Sequence, residues 1–284
     1  LLGGQILPHL WGKPRRGLAR WTLSYLRAVP LQLGVMATGL LSIQAVADRA
    51  GICWAALLYG VLALYQLETQ EWLSRLMGLP FHPVAEPAAP YAMAEAEDPR
   101  FSGGISGLPG CERVVVPAHW WHSFSSDWLL QHVQRRHYLI RSGARNAGLM
   151  LAVFFNAGVL LLVLPWCLGD PVALSCWFTL GSFVGLLVLP SLSRSGVESA
   201  DAFMAQLRPP EEVAGWLSQL ELLQEEDSRR SLWVERIFHP IPQIGHRLAA
   251  LGRPLRVRPW NAARYALLTS WLAGGLLARA VHCN

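Results

Sequence analysis

Long runs of apolar residues alternate with shorter polar segments along this chain of 284 residues, and the lengths of the runs predict its architecture. A helix that crosses a bilayer core about 30 Å thick needs roughly 17–25 residues. Four runs are long enough to be such spans, and they cover residues 28–47, 52–67, 147–166 and 172–192. Only short links join the first pair and the second pair, so we expect two antiparallel helical hairpins.

A fifth apolar run covers residues 265–281, is bounded by Arg264 and is interrupted by Arg279. This pattern is compatible with a fifth span and equally with a helix that docks at the membrane surface.

The composition agrees with several membrane segments, because 52% of the residues are hydrophobic and only 15% are charged. The net charge of +5 comes from arginines that flank the apolar runs, which is typical of membrane topology rather than of a nucleic-acid groove. We therefore expect the lipid bilayer, and no nucleic acid, among the partners. The five cysteines show neither a CxxC pair nor metal-finger spacing, so no disulfide framework is predicted.

Basic residues orient the predicted spans. They precede the first and third spans and follow the fourth: Lys13, Arg15, Arg16, Arg20, Arg27, Arg135, Arg136, Arg141, Arg145, Arg194 and Arg208. The charged residues of the two hairpin links are only Asp48, Arg49 and Asp170. Because basic segments stay on the cytoplasmic side, we expect a multi-pass protein of a bacterial-type inner (cytoplasmic) membrane.

This topology divides the chain into six segments. The first, residues 1–27, is a basic cytoplasmic amino terminus, and the two hairpins occupy residues 28–68 and 147–192. The main polar segments, expected in the cytoplasm, are residues 69–146 and 193–262, and the fifth apolar run lies in residues 263–284.

The polar segments predict a small α+β domain. The Pro- and Gly-rich stretch at residues 81–110 indicates a loop, and the valines of "ERVVVPA" predict a short buried strand. Ser125 or Ser126 is a suitable N-cap for the next helix, which has Asp127 in its first turn. Apolar residues at helical spacing predict further helices in residues 198–238. The expected fold class is a mainly α integral membrane protein with two transmembrane hairpins, a candidate fifth helix and a small α+β cytoplasmic metallopeptidase-like domain.

Four sequence blocks carry a resemblance to a known family. They are "PYAMA" at residues 90–94, "WLLQHVQRRH" at 128–137, "SRSGVESAD" at 193–201 and "FHPIPQIGHRLAAL" at 238–251. In this order, and with this arrangement of hairpins, residues 28–251 resemble the HtpX-type membrane zinc metallopeptidases and their relatives, the CAAX prenyl endopeptidases.

The resemblance implies a role for each matched position. Where that family has its HExxH motif, Trp128 stands for the first zinc-binding His, Leu129 for the general-base Glu and His132 for the second His. Val197 stands for the third ligand, a Glu. The residues that match the family's later motif are Ser193, Arg194, Ala200 and Asp201. A preserved framework would make Trp128, His132 and Val197 converge on one point.

These departures predict a site without peptidase chemistry. Catalytic zinc takes three protein ligands and leaves one position for water, whereas His132 alone is a single neutral donor. Leu129 also removes the proton acceptor for the attacking water. We therefore expect no catalytic residue, no metal and no cofactor at these positions.

Two other functions stay open. A rearranged site built from His119, His122 and His132 would make the protein an active zinc metalloendopeptidase. His137 is a further candidate metal ligand, although no Asp or Glu is spaced to complete such a site. A cofactor-carrying subunit of a membrane electron-transfer or photosynthetic complex is the other, although the chain has no CxxCH and no paired intramembrane His.

The leading hypothesis is an inactive peptidase homologue that acts as a scaffold, assembly factor or accessory subunit of another integral membrane protein or complex. The small residues Ala157, Gly158, Gly181 and Gly185 would permit close contacts between helices. Asn156, inside the third apolar run, predicts a hydrogen bond to a neighbouring helix.

Overall fold

A computed structural model describes residues 17–76, 81–84, 91–96, 101–223, 231–238 and 241–255. The chain is mainly helical in these ranges, with one small four-stranded sheet. Residues 1–16, the 224–230 part of the predicted helical stretch and the fifth apolar run at 265–281 lie outside the described residues.

The first apolar pair forms a helical hairpin, as predicted. Helix α1 covers Leu18–Ala50 and α2 covers Ile52–Glu68. Gly51 joins them with a φ of 99°, a conformation that glycine adopts without steric cost. A bend of 63° after α2 leads into the short helix α3, Gln70–Leu76.

The second apolar pair forms the other hairpin. Helix α6 covers Ala144–Val163 and ends in a 3-10 turn, and α7 covers Pro171–Leu207. Asp170 caps α7, because its carboxylate accepts hydrogen bonds from the amides of Val172 at 3.0 Å and Ala173 at 2.9 Å. Helix α7 runs on past the apolar run without a break, so the first part of the helical stretch predicted over residues 198–238 forms the last ten residues of α7.

Within the described ranges, three helices are long and apolar enough to cross a membrane: Tyr25–Ala50, Ala144–Trp166 and Pro171–Leu207. The bent pair Ile52–Glu68 and Gln70–Leu76 would raise the number to four if it forms one span. The hairpins share an apolar core, in which Tyr59 of α2 meets Phe178 of α7 edge to face at 5.9 Å between ring centres.

Small residues bring α6 and α7 together as the sequence predicts. A Cβ added at Gly181 would lie 2.3 Å from a methyl group of Val159, and one added at Gly185 would lie 2.6 Å from the ring of Phe155. The prediction is wrong for Gly158, because no described atom lies within 4 Å of the position that its Cβ would take. Gly158 therefore lies on the outer face of α6.

The predicted interhelical hydrogen bond is also confirmed. The hydroxyl of Ser182 donates to Asn156 Oδ1 at 3.0 Å, and both side chains are buried. A second polar contact joins the hairpins, in which Gln44 Nε2 donates to the carbonyl of Cys167 at 3.1 Å. These contacts satisfy polar groups that would otherwise be costly inside an apolar helix bundle.

The sheet lies between the hairpins in sequence. Its strands are β1 Phe81–Val84, β2 Tyr91–Ala94, β3 Gly104–Ser106 and β4 Arg113–Pro117, in the order β1-β2-β4-β3. Strand β4 confirms the predicted buried strand, and β2 pairs with it in parallel.

The loop prediction for residues 81–110 is wrong for three short segments, because β1, β2 and β3 lie there. These strands are three or four residues long, and Pro83 interrupts β1. Pro83 is tolerated because β1 is an edge strand. Strands β2 and β3 pair with β4, and β1 pairs with β2, so pairing within the sheet stabilises segments that have no strand signal of their own.

Five further helices complete the described chain. They are α4 Ala118–Ser123, α5 Ser126–Arg141, α8 Pro210–Leu223, α9 Leu232–Phe238 and α10 Ile244–Ala250. Ser125 is the N-cap of α5, since its hydroxyl accepts a hydrogen bond from the amide of Trp128 at 3.2 Å. Helices α5, α8 and α10 pack with the sheet and the end of α7 around a second core.

Candidate functional site

Helix α5 carries the positions that the resemblance assigns to the zinc motif. Trp128, Leu129 and His132 are all buried, with 7%, 5% and 2% of their surface exposed. Leu129 is part of the second core, together with Val133 of the next turn and Val114 of β4. The face of the helix that would hold a metal therefore faces packed side chains.

Aromatic rings surround His132. Trp120 of α4 meets it edge to face at 4.7 Å between ring centres, and Trp216 of α8 lies at 5.9 Å. Trp128 stacks parallel to it at 5.9 Å and stacks on Phe124 at 4.1 Å. We call Trp120, Phe124, Trp128, His132 and Trp216 the aromatic cluster. The imidazole of His132 is therefore surrounded by aromatic rings from α4, α5 and α8.

The imidazole of His132 is held in its neutral form. Burial lowers its pKa well below the usual value, and the nearby charges of Arg136, Arg135 and Arg247 lower it further. The carbonyl of Ser102 favours protonation and opposes this shift. No hydrogen bond of normal geometry to either ring nitrogen is found in the described part of the chain.

The donors around His132 do not fit zinc. Nowhere in the described ranges do three or more His, Cys, Asp or Glu side chains gather closely enough to hold a metal ion. His119 and His122 lie on α4, and His137 lies farther along α5. The structure does not bring these three and His132 together as a ligand set, and the rings closest to His132 are indoles, which donate hydrogen bonds and do not ligate metals.

Val197 does not join Trp128 and His132, so the expected convergence is wrong. Helices α5 and α7 pack antiparallel. Asp127 near the start of α5 binds Arg208 at the end of α7, and Arg135, farther along α5, binds Asp201, which comes earlier in α7. The part of α7 opposite His132 therefore lies between Asp201 and Arg208, and Met204 contributes to the core there.

Val197 itself is buried one turn beyond Asp201, about 6 Å farther along α7. It lies opposite the carboxyl-terminal half of α5. Its neighbour Ala200 packs on Leu139 and Ala144, which lie beyond His132 along the chain. Glu198 points elsewhere, and its carboxylate is 3.9 Å from the guanidinium of Arg253.

The retained motif residues have structural contacts. Ser193 donates to the carbonyl of Leu189 at 3.1 Å, and Ala200 packs on Leu139 and Ala144. Arg194 forms an ion pair with the buried Glu235 of α9. Glu235 also lies 3.1 Å from Nδ1 of His246 on α10.

Asp201 joins three helices. Its carboxylate accepts hydrogen bonds from Arg135 of α5 at 2.6 Å and from Arg247 of α10 at 2.7 and 3.1 Å. Burial alone would raise the pKa of this carboxyl group, but the two guanidinium charges outweigh burial and lower its pKa below the ordinary value. Asp201 is therefore ionised and fully paired, and it does not serve as a general acid.

A further arginine ties α5 to the sheet. Arg136 donates to the carbonyls of Val115, at 2.6 Å, and Ser102, and its side chain is buried. The packing of α5 thus depends on two consecutive arginines, Arg135 toward α7 and Arg136 toward the sheet.

Sequence reasoning missed the partners of these groups. Arg247 and His246 lie inside the "FHPIPQIGHRLAAL" block, so the resemblance marked the region but not their role. The sequence marks Arg135 and Arg136 as basic residues before a span and as part of the "WLLQHVQRRH" block, but it does not indicate their partners. Nothing in the local pattern of α8 indicates that Trp216 packs against His132, because the two residues are distant in sequence.

Comparison with models of protein families, with curated proteins and with solved structures finds no match to the chain. The assignment of a function therefore depends on the residues and contacts described above.

Proposed function

We propose that this chain is a multi-pass membrane protein that acts by binding another integral membrane protein or complex, as a scaffold, assembly factor or accessory subunit. We further propose that it derives from the frame of the HtpX-type metallopeptidases and has lost their zinc chemistry. The single observation that carries the proposal is the aromatic cluster, which places three indole rings around the one remaining histidine of the motif helix.

Membrane integration is supported by the three helices that are long and apolar enough to span. Large apolar side chains point outward along them; Leu162 of α6 and Val172 of α7 are more than 70% exposed. In water such a surface would be costly, whereas lipid covers it without penalty. The basic flanks support a cytoplasmic position for the sheet and the aromatic cluster.

A binding role, rather than catalysis, is supported by how the polar groups are used. Arg135 and Arg136 of the motif helix, and Asp201 beside it, are engaged in structural contacts. His132 is neutral and enclosed by rings. An enzyme needs a reachable base or nucleophile next to its substrate, and these groups do not provide one.

The test measures metal content and peptidase activity on the same sample. The full chain is purified in detergent without chelator, its zinc is quantified by mass spectrometry, and cleavage of casein and model peptides is followed with and without a chelator. We expect far less than one zinc per chain and no chelator-sensitive cleavage. An active enzyme would instead hold zinc in equal amount, and His132→Ala would abolish its cleavage.

A further inference from the structure

The short helices α3 and α9 expose apolar side chains. Both lie at the same end of the spans as the sheet. Trp72 on α3 is 59% exposed, and Trp233 on α9 is 73% exposed. Leu76 of α3 and Leu232 and Val234 of α9 are exposed beside them. We call these five residues the collar.

The position of α9 relative to the spans follows from its ion pair. Glu235 of α9 binds Arg194 of α7, and α7 is one continuous helix from Pro171. At a rise of about 1.5 Å per residue, Pro171 and Arg194 lie about 35 Å apart along the axis. The hydrocarbon core is about 30 Å thick. Arg194 therefore lies at the boundary of the bilayer, and Trp233, two residues before Glu235, lies at the same level.

The position of α3 follows from the bend. Helix α2 rises about 25 Å from Ile52 to Glu68, close to the thickness of the hydrocarbon core. The chain then turns by 63°, so α3 leaves the direction of the span and runs closer to the membrane plane. This turn places Trp72 at the end of the span rather than beyond it.

The opposite end of the spans shows the same chemistry. Trp54 at the start of α2 and Trp166 after α6 are exposed, the latter by 87%. Tryptophan is enriched at both surfaces of a bilayer, where its ring contacts the acyl chains and its N–H group reaches water. The exposed tryptophans thus lie at two levels, separated by about the thickness of a bilayer core. This separation is expected if each level lies at one of the two membrane surfaces.

We propose that the collar inserts into the boundary between headgroups and acyl chains of the same bilayer that the spans cross. This inference rests on the proposed membrane integration. The occupant is lipid rather than a protein partner because exposed tryptophans lie near both ends of the spans, at the levels where a bilayer has its two surfaces. Insertion fixes the height and orientation of the sheet and the aromatic cluster, since Glu235 links α9 to Arg194 and His246.

The experiment measures lipid contact at single positions. The full chain, with its five cysteines replaced by alanine, receives one new cysteine for an environment-sensitive fluorophore: Trp72→Cys, Trp233→Cys, Leu180→Cys or Ser218→Cys. Leu180 is exposed in the middle of the α7 span, and Ser218 is exposed on α8. Each variant is reconstituted into phosphatidylcholine vesicles that contain a lipid spin label either near the headgroup or deep in the acyl chain.

We expect the headgroup label to quench the probes at positions 72 and 233 severalfold more strongly than the probe at 218, and the deep label to quench the probe at 180. Weak quenching at either collar position, with strong quenching at 180, overturns the assignment for that helix and leaves membrane integration standing. Weak quenching at 180 overturns the proposed integration itself, and the collar with it.

Discussion

The carboxylate of Asp201 accepts hydrogen bonds from Nε and from one Nη of Arg247, at 2.7 and 3.1 Å. The two residues lie on different helices, and both are buried. Arg135 binds the same carboxylate from α5. The aspartate of the retained motif thus holds α5, α7 and α10 together. These ion pairs give Asp201 a structural role that does not require a metal ion.

Replacing this aspartate tests its role. Asp201→Asn leaves two largely buried guanidinium groups without their counter-charge, and breaking a buried ion pair from one side costs about 3–5 kcal/mol. We expect a loss of that size in the free energy of unfolding of the polar domain, measured by denaturant titration in detergent. Glu198→Gln is the matched control on the same helix. Its pair with Arg253 is longer and partly exposed, so we expect a change below about 1 kcal/mol. Equal effects of the two variants would contradict the role assigned to Asp201.

The burial of His132 predicts a pH dependence of stability. The usual pKa of a histidine is about 6.5, and the folded pKa of His132 lies well below it, so the unfolded chain takes up a proton first as the pH falls. The stabilisation from the neutral His132 is therefore fully present well above pH 6.5 and is lost as the pH falls through and below that value. From pH 7.5 to 5.5, the free energy of unfolding should fall by roughly 1 kcal/mol on account of this one group.

The substitution His132→Phe keeps an aromatic ring and removes the titration, so its stability should fall by roughly 1 kcal/mol less than that of the parent over the same interval. His122→Phe, which replaces an exposed imidazole by the same side chain, is the matched control. If the parent and His132→Phe decline in parallel, His132 is not the buried neutral group described here.

The contact of Gly181 with α6 predicts a packing defect. In Gly181→Ala the new methyl group would meet a methyl of Val159 at 2.3 Å, and the β-branched side chain of Val159 has one strongly preferred rotamer in a helix. We expect a destabilisation of about 1–3 kcal/mol, measured by unfolding in mixed micelles. Gly158→Ala gains the same helix propensity on an open face, so it should be neutral or slightly stabilising. Equal stability of the two variants would show that the helices are not in contact at Gly181.

The Asn156–Ser182 hydrogen bond predicts a coupling between α6 and α7. A double-mutant cycle with Asn156→Ala and Ser182→Ala should give a coupling energy of about 0.6 kcal/mol, the average for such bonds inside a membrane. Thr179→Ala provides the control, because that hydroxyl bonds within its own helix, to the carbonyl of Ser175 at 2.7 Å. Its coupling to Asn156 should be zero. A coupling as large as that of Ser182 would mean that the cycle reports general destabilisation.

Several parts of the fold could be read from local patterns alone. The lengths of the apolar runs predict the helices of both hairpins, because each run must cover one helix-length of apolar surface. Ser125 is recognisable as the cap of α5, since capping involves only the first turn of the helix. The interhelical bond of Asn156 was predictable because a lone amide in an apolar helix needs a partner.

Other parts depend on contacts between distant residues. Strands β1 and β2 have no alternating pattern, and their hydrogen bonds to one another and to β4 make them strands. The resemblance places Trp128, His132 and Val197 in one motif frame, but the way α5 packs on α7 separates Val197 from the other two. A motif match does not predict the relative position of two packed helices along their axes.

The sequence by itself determined that this protein has apolar hairpins with basic flanks, and that the stretch forming helix α5 contains no HExxH motif. Both conclusions follow from residue types and spacings, which act locally. Only the tertiary structure decided that Trp120 and Trp216 enclose His132 and that Asp201 is held by Arg135 and Arg247. Those side chains come from separate helices, and only the packing of the helices brings them within contact distance.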